Sequence, residues 1–266
     1  MTDPDRFSLA IAQLDLPAGE VQQNMASMVK AATYAATMKA DLLVYPKLAP
    51  TGFVTDASMK DLAEPVEGMY FDQLSDIAGQ FNMAVCYGYP ERDGDHIYSS
   101  AALLGKDGNL IANHRQTHLR SASPVQSFSA GNQVVTLAEL NGFKIAILVG
   151  YEVEFPELMR KCAMAGAEIA AVPSSVFQTQ DCATYILAIN DARAAENNMF
   201  IAYANHAAND EPGGFNGHSM ICGPRGRRLA QAGEGTTILT AEVNKQVIIK
   251  DRELAPYLQD LRTEIL

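Results

Sequence analysis

The sequence predicts an α/β protein, an α-β-β-α sandwich made of two pseudo-symmetric halves, and three observations carry that expectation. The first is an internal repeat: FSLAIAQ at Phe7–Gln13 is matched by FKIAILV at Phe143–Val149, and ADLLVYP at Ala40–Pro46 by AEIAAVP at Ala167–Pro173. NMAVCY at Asn82–Tyr87 is matched by NMFIAY at Asn198–Tyr203, and SAALLGKDG at Ser100–Gly108 by SMICGPRG at Ser219–Gly226. The spacing between matched segments drifts by a few residues, as expected of two related halves with unequal loops and not of a short solenoid repeat. The second observation is that runs such as IAILV and LLVY are apolar at consecutive positions, so both faces of these strands are covered. The third is that the segments between them carry apolar residues at three- and four-residue spacing, the pattern of helices laid by one face on a sheet.

Taken in order, each half reads β-α-β-α-β-β. The helices are expected over Val21–Lys39, Tyr70–Phe81, Glu157–Ala165 and Cys182–Asn197. Ser100–Gly108 and Ser219–Gly226 each read as a strand entering a Gly-containing turn, and the glycines of GPRGRRLAQAGEG read as hairpin punctuation. That segment lacks the strand-loop-helix setting of a phosphate cradle, so no nucleotide or other cofactor is expected. No Pro/Ser/Gly-rich linker separates the halves, and residues 1–266 are expected to form a single domain.

Composition narrows the function classes. The chain has 266 residues, 48% of them hydrophobic, which is enough to bury a core without disulfide or metal. Its formal net charge of −11 repels polyanions, so nucleic acid is not an expected partner. No stretch approaches the roughly 20 apolar residues of a membrane span, and Met1–Asp5 is polar and acidic, so the reading is a cytoplasmic protein with no membrane association. The four cysteines, Cys86, Cys162, Cys182 and Cys222, form no CxxC pair, and His114, His118, His206 and His218 lack metal-ligand spacing, so no metal is expected. Cys86, Cys162 and Cys222 read as core thiols, whereas Cys182 lies in the polar loop QTQDCATY without an obvious activating base.

The segments ADLLVYPKLAPTGF (Ala40–Phe53), HRQTHL (His114–Leu119) and GYEVEFPELMR (Gly150–Arg160) together resemble the nitrilase superfamily of carbon–nitrogen hydrolases, in particular its amidases and carbamoylases. PSSVF (Pro173–Phe177), RAAENNMFIAYAN (Arg193–Asn205) and GHSMICGPRGRRLAQAGEG (Gly217–Gly235) extend the resemblance over nearly the whole chain. It implies an α-β-β-α sandwich, a homodimer or larger homo-oligomer, and hydrolysis of C–N bonds by a Glu base, a Lys and a nucleophilic Cys. A thiolate attacks carbon, the base takes its proton and later activates water, and the cation steadies the oxyanion.

On that resemblance every one of the three places is substituted. Lys47 stands directly after Pro46, where the Glu is expected; Gln116 stands in HRQTHL in place of the Lys; Gly150 opens GYEVEFPE in place of the Cys. A glycine supplies no nucleophile, and an ancillary acid that many relatives carry is missing from SASPVQS (Ser121–Ser127). The exchange leaves an excess of positive charge, since Lys47 replaces an acid and neutral Gln116 replaces a cation. Such a cation needs a partner, and Glu152, Glu154 or a bound anion are the candidates. Glu154 and Glu157 have a structural alternative as caps of a helix starting near Pro156. The backbone N–H of Tyr151 occupies the place of an oxyanion donor.

The expected ligand-binding set is therefore Lys47, Gln116, Tyr151, Glu152 and Glu154. The expected function is that of a pseudoenzyme, a non-hydrolysing member that binds a small polar or anionic metabolite or modulates a partner. Its rival is an enzyme of different chemistry, acting on a small nitrogen-containing substrate with Lys47 as base or amine nucleophile beside Tyr151 or Glu152.

Overall fold

The computed structural model describes residues 4–121, 128–178, 182–208 and 214–265. The first half runs β1 (Arg6–Gln13), α1 (Val21–Thr37), β2 (Leu42–Val44), the short α2 (Met59–Leu62), α3 (Met69–Phe81), β3 (Ala84–Asp93), β4 (His96–Leu104) and β5 (Leu110–Arg115). The second runs β6 (Leu137–Leu140), β7 (Phe143–Ile147), α4 (Pro156–Met164), β8 (Ile169–Pro173), α5 (Cys182–Asn197), β9 (Phe200–Ala204), β10 (Met220–Gly223), β11 (Arg227–Gln231) and β12 (Thr237–Asn244), followed by α6 (Lys245–Leu254) and α7 (Tyr257–Asp260). The described residues form two six-stranded sheets, ordered β12-β1-β2-β3-β4-β5 and β11-β10-β9-β8-β7-β6.

Both sheets share one internal plan. β1-β2-β3 and β7-β8-β9 are parallel, as helical crossovers require, and β4 and β10 then turn back antiparallel. β12 follows the second half in sequence yet pairs with β1, so the chain's last strand closes the first sheet.

The two-residue period of the strands sorts their side chains into three cores. Phe7, Leu9 and Ile11 meet Phe143, Ile145 and Ile147 between the sheets, while the alternate residues Ala10 and Ala12 pack under Met25, Met28, Ala31 and Ala32 of α1. On the far side Ala146, Ala170, Val172 and Ile201 pack under Leu158, Met159 and Cys162 of α4 and Ile186 of α5. This is the α-β-β-α layering expected from the doubly apolar runs.

Matching sequence repeats reflect matching backbone chemistry. Asn82 (φ 49°) follows α3 and Asn198 (φ 46°) follows α5, each leaving its helix in the left-handed conformation that Asn tolerates better than most residues. Asn141 (φ 47°) and Gly142 (φ 79°) join β6 to β7 through the left-handed pair favoured in two-residue hairpins. The four expected helices fall where the sequence places them, and Gly223 and Gly226 flank the β10–β11 hairpin. Gly233 and Gly235, however, join strands of different sheets, and the ADLLVYP strand is shorter than its apolar run. Its ladder stops at Val44, and Pro46 has no N–H to extend it.

Candidate functional site

Lys47 leaves the end of β2 on a tightly held backbone. Its N–H donates to Ser174 O at 3.1 Å, just past the end of β8, and its carbonyl accepts from His206 Nε2 at 2.7 Å. Both sheets thus meet at this residue, at the carboxyl ends of parallel strands where α/β folds commonly place ligands. On the other flank β3 comes so close that a Cβ on Gly88 would lie 2.5 Å from Lys47 Cα.

The Lys47 side chain is partly buried and its Nζ donates to Gln116 Oε1 at 2.9 Å. The rings of Phe53 and Phe128 lie 5.9 Å from the ammonium, on an apolar wall continued by Leu48, Val54, Met59 and Phe215. Burial pulls the Lys47 pKa down to about 8, with the Glu152 charge opposing the fall and the Arg120 charge adding to it. Gln116 is buried just beyond β5, and its Nε2 donates to His118 O at 2.9 Å. Only with the amide oxygen toward Lys47 and the amide nitrogen toward this carbonyl are both ends satisfied.

Gly150 opens a 3₁₀ turn, Gly150–Glu154, after β7 with φ 49°. A Cβ added there would meet Ser174 Oγ at 3.7 Å, Lys47 Cδ at 3.8 Å and Pro173 O at 3.9 Å, all ordinary contacts. Lys47, Gln116 and Gly150, far apart in sequence, therefore converge, and the Gly150 side of the group carries no side chain.

Of the candidate partners for Lys47, neither Glu152 nor Glu154 is hydrogen-bonded to it. The 3₁₀ turn directs Glu152 inward, where Oε2 accepts from Val149 N at 2.7 Å and His114 Nε2 at 2.9 Å. Its Oε1 accepts from Thr117 N at 2.8 Å and Thr117 Oγ1 at 2.6 Å. Burial alone would raise its pKa, but the bonds and charge from His114 and the bonds from Thr117 hold the carboxyl below the usual range. Glu154 accepts from Arg120 Nη2 at 2.8 Å and from Tyr185 OH at 2.9 Å. It does not cap α4 either: the N-cap is Phe155, without a side-chain bond, and Glu157 lies exposed in the first turn, where it complements the helix dipole.

Tyr151 stands on the rim, its ring under the Arg120 guanidinium at 4.2 Å and against Phe155 at 4.9 Å. Arg120 and His206 were missed by the sequence reading. Arg120 lies one residue past HRQTHL, and His206 one residue past RAAENNMFIAYAN, so the extent of those two segments was the available signal. His206 is fully buried, stacks on Phe215 at 4.3 Å, and has its pKa pushed down to about 4 by burial and the Lys47 charge, which leaves it a neutral donor to the Lys47 carbonyl.

His114 is fully hydrogen-bonded, bridging Glu152 and Thr136 Oγ1. His118 bonds Thr117 Oγ1 and His218 the Asn216 carbonyl. Among the described residues no group of three His, Cys, Asp or Glu is placed to hold a metal ion, and no helix is long and apolar enough to cross a membrane. Cys86, Cys162 and Cys222 are buried, and burial raises all three thiols, those of Cys86 and Cys162 to about 12. The Cys182 side chain and residues 122–127, where the ancillary acid is missing, lie outside the described residues.

Residues 8–253 match the carbon–nitrogen hydrolase family model, and the chain belongs to that family. It is 36% identical over 228 residues to a hydrolase encoded in the pqqF 5′ region of Pseudomonas protegens, covering 85% of this chain and 79% of that one. An (R)-stereoselective amidase of Pseudomonas sp. is 32% identical, with 84% and 80% covered. An amidase of Nesterenkonia sp. AN1 superposes with a TM-score of 0.87 at 26% identity, covering 99% of this chain and 97% of that one. A structure of a variant of that amidase shows acrylamide added at its active-site cysteine.

Proposed function

We propose that this carbon–nitrogen hydrolase homologue has lost thiol-dependent hydrolysis and binds a small anionic metabolite at Lys47. The observation that carries the reading is the bare Gly150, where a Cβ would make ordinary contacts, 3.8 Å from Lys47 Cδ, and no nucleophile is present. On this reading the end of β7 is where the amidase relatives place their cysteine, and Lys47 and Gln116 stand in place of the catalytic Glu and Lys. Lys47, hydrogen-bonded to the neutral Gln116 and ion-paired to no carboxylate among the described residues, suits a carboxylate ligand. The polypeptide is read as one domain that assembles as a homo-oligomer, and exposed Tyr34 and Met38, which line one groove along α1, support an apolar contact surface there.

The test is calorimetric titration with matched small carboxylic acids and amides. The acids are expected to bind more tightly, with Lys47→Met removing about 1.5–3 kcal/mol of the acid's binding energy. Affinity is expected to fall as the pH rises through about 8, where Lys47 loses its proton. Equal affinity for the pair, or no effect of Lys47→Met, would overturn the reading.

Hydrolysis of simple amides, nitriles and N-carbamoyl amino acids is expected to proceed no faster than in buffer. Gly150→Cys alone is expected to leave this unchanged, because residues that act as a unit in catalysis are strongly non-additive. The new side chain fits the space but adopts φ 49°, at a cost of roughly 1–2 kcal/mol, and it faces an ammonium with no carboxylate base. Only Lys47→Glu, Gln116→Lys and Gly150→Cys combined are expected to produce measurable turnover. Substantial turnover from the single change would show that the base has been misplaced.

A further inference from the structure

We propose that the cavity at the amino ends of β1, β2 and β3 is a second binding site, for a small anion of two or more charges. Its volume is about 640 Å³, and Arg6, Lys39 and Lys106 line it against the acids Asp41 and Glu242, an excess of cations in a chain whose net charge is −11. Lys39 and Asp41 precede β2, whereas Lys47 follows it, so the cavity shares no residue with the Lys47 site.

The internal repeat shows why this end is open. Lys39 corresponds to Gly166, Asp41 to Glu168 and Asn82 to Asn198. The pairing of Val85 with Leu104 answers that of Ile201 with Cys222, so the turn Gly105–Gly108 corresponds to Gly223–Gly226. Asp41 and Glu168 even accept the same backbone bond, Asp41 Oδ2 from Ser8 N at 2.7 Å and Glu168 Oε2 from Lys144 N at 3.0 Å. In the second half α6 and α7 cover this end. Arg225 pairs with Asp251 at 2.8 Å, Glu168 with Lys245 at 3.1 Å, and Arg252 Nη2 donates to Ala167 O at 3.0 Å. The cavity left there is smaller, about 320 Å³, and is walled by Tyr257 and Leu258. The first half has no such cover: none of the described residues that line its cavity lies in a helix.

Charge is what the missing cover would have brought. Arg225, the cation of the second turn, is neutralised by an aspartate of α6, whereas the solvent-exposed Lys106 of the first turn and the equally exposed Lys39 make no ion pair and no Nζ hydrogen bond among the described residues. The acids nearby are engaged already. Asp41 accepts from Ser8 N and from Asn141 Nδ2 at 2.9 Å, Glu242 pairs with Arg6 at 3.3 Å, and Asp107 beside Lys106 accepts from Asn109 N at 3.2 Å and Nδ2 at 2.7 Å. Lys39 also stands at φ 58°, where Gly166 stands at φ 98° in the second half. The first half thus sets a cation at a position that backbone geometry alone would give to glycine. Two ammonium groups without counter-ions at one cavity suit a ligand that brings at least two negative charges, carboxylate or phosphate.

The experiment is calorimetric titration of the full-length protein with citrate, pyrophosphate and acetate at neutral pH and low ionic strength. Citrate or pyrophosphate is expected to bind about tenfold or more tightly than acetate, and the tighter of the two shows whether carboxylate or phosphate is preferred. Lys39→Gly and Lys106→Met should each weaken that binding about three- to tenfold, and Lys60→Met, at an exposed lysine outside the cavity, should not change it. Lys39→Gly also frees the backbone from a left-handed lysine, so urea unfolding should show affinity lost without loss of fold. Binding no tighter than that of acetate overturns the site, as does an affinity that Lys39→Gly and Lys106→Met leave unchanged or that Lys60→Met lowers equally. The same titrations in Lys47→Met protein read this cavity without the Lys47 site: binding that persists there supports it, and binding lost there belongs to Lys47 and overturns it.

Discussion

Glu152→Ala is expected to lower the unfolding free energy by about 3–5 kcal/mol, the range for removing one partner of a buried charged network. The carboxylate is 1% exposed and receives four hydrogen bonds, from Val149 N, His114 Nε2, Thr117 N and Thr117 Oγ1. Alanine leaves those donors facing a cavity that water does not reach freely. Glu152→Gln is expected to fall between alanine and the native residue, because its oxygen can still accept while its NH₂ must face another donor. The acid limb of the stability curve supplies a second readout. Since the folded-state pKa of Glu152 is depressed, its contribution is present above the unfolded value of 4.5 and is lost as pH falls through the lower folded value. Urea unfolding at neutral and acid pH should therefore show Glu152→Ala with a shallower acid loss than the native protein. A Glu152→Ala variant within 1 kcal/mol of the native protein at neutral pH would mean that this network does not hold the Gly150 turn in place.

The same carboxylate shows where sequence reading reaches its limit. Its position two residues after Gly150 suggested a partner for Lys47, yet the 3₁₀ turn swings it inward to donors on β5's trailing segment and on Val149. Direction over such a turn depends on backbone geometry that residue type does not encode. The layers, by contrast, were legible because two-residue and 3.6-residue periods report directly on which face is buried, and the Asn residues at 82 and 198 end equivalent helices for a local steric reason. Lys47, Gln116 and Gly150 were found as positions because their segments resemble a family. The Lys47–Gln116 bond, spanning 69 residues, became visible only once β2 and β5 were placed in one sheet. His206 was hidden for a related reason: it acts on the Lys47 backbone, and a histidine that donates to a main-chain carbonyl leaves no pattern of its own.

Gly88→Ala is expected to weaken binding of a small carboxylate by tenfold or more, although Gly88 bears no side chain and makes no contact through one. The added Cβ would lie 2.5 Å from Lys47 Cα, 2.9 Å from Leu48 N and 3.1 Å from Pro46 O, and all three are backbone atoms that cannot swing aside. Lys47 is meanwhile pinned from the opposite side by Ser174 O and His206, and Leu48 already sits at φ 55°. The segment has to shift bodily, which costs about 1–3 kcal/mol as overpacking and moves the ammonium away from Gln116. Misplacement by about 1 Å of a group that positions a ligand commonly costs far more in function than in stability. Gly79→Ala is the matched control, because that glycine lies inside α3 with nothing within 4 Å of the new methyl, so helix propensity should stabilise the variant by about 0.5–1 kcal/mol without touching the site. Calorimetry on both variants, with urea unfolding alongside, decides the matter: a Gly88→Ala protein that binds the carboxylate as tightly as the native chain would show that Lys47 does not depend on the close approach of β3 for its position.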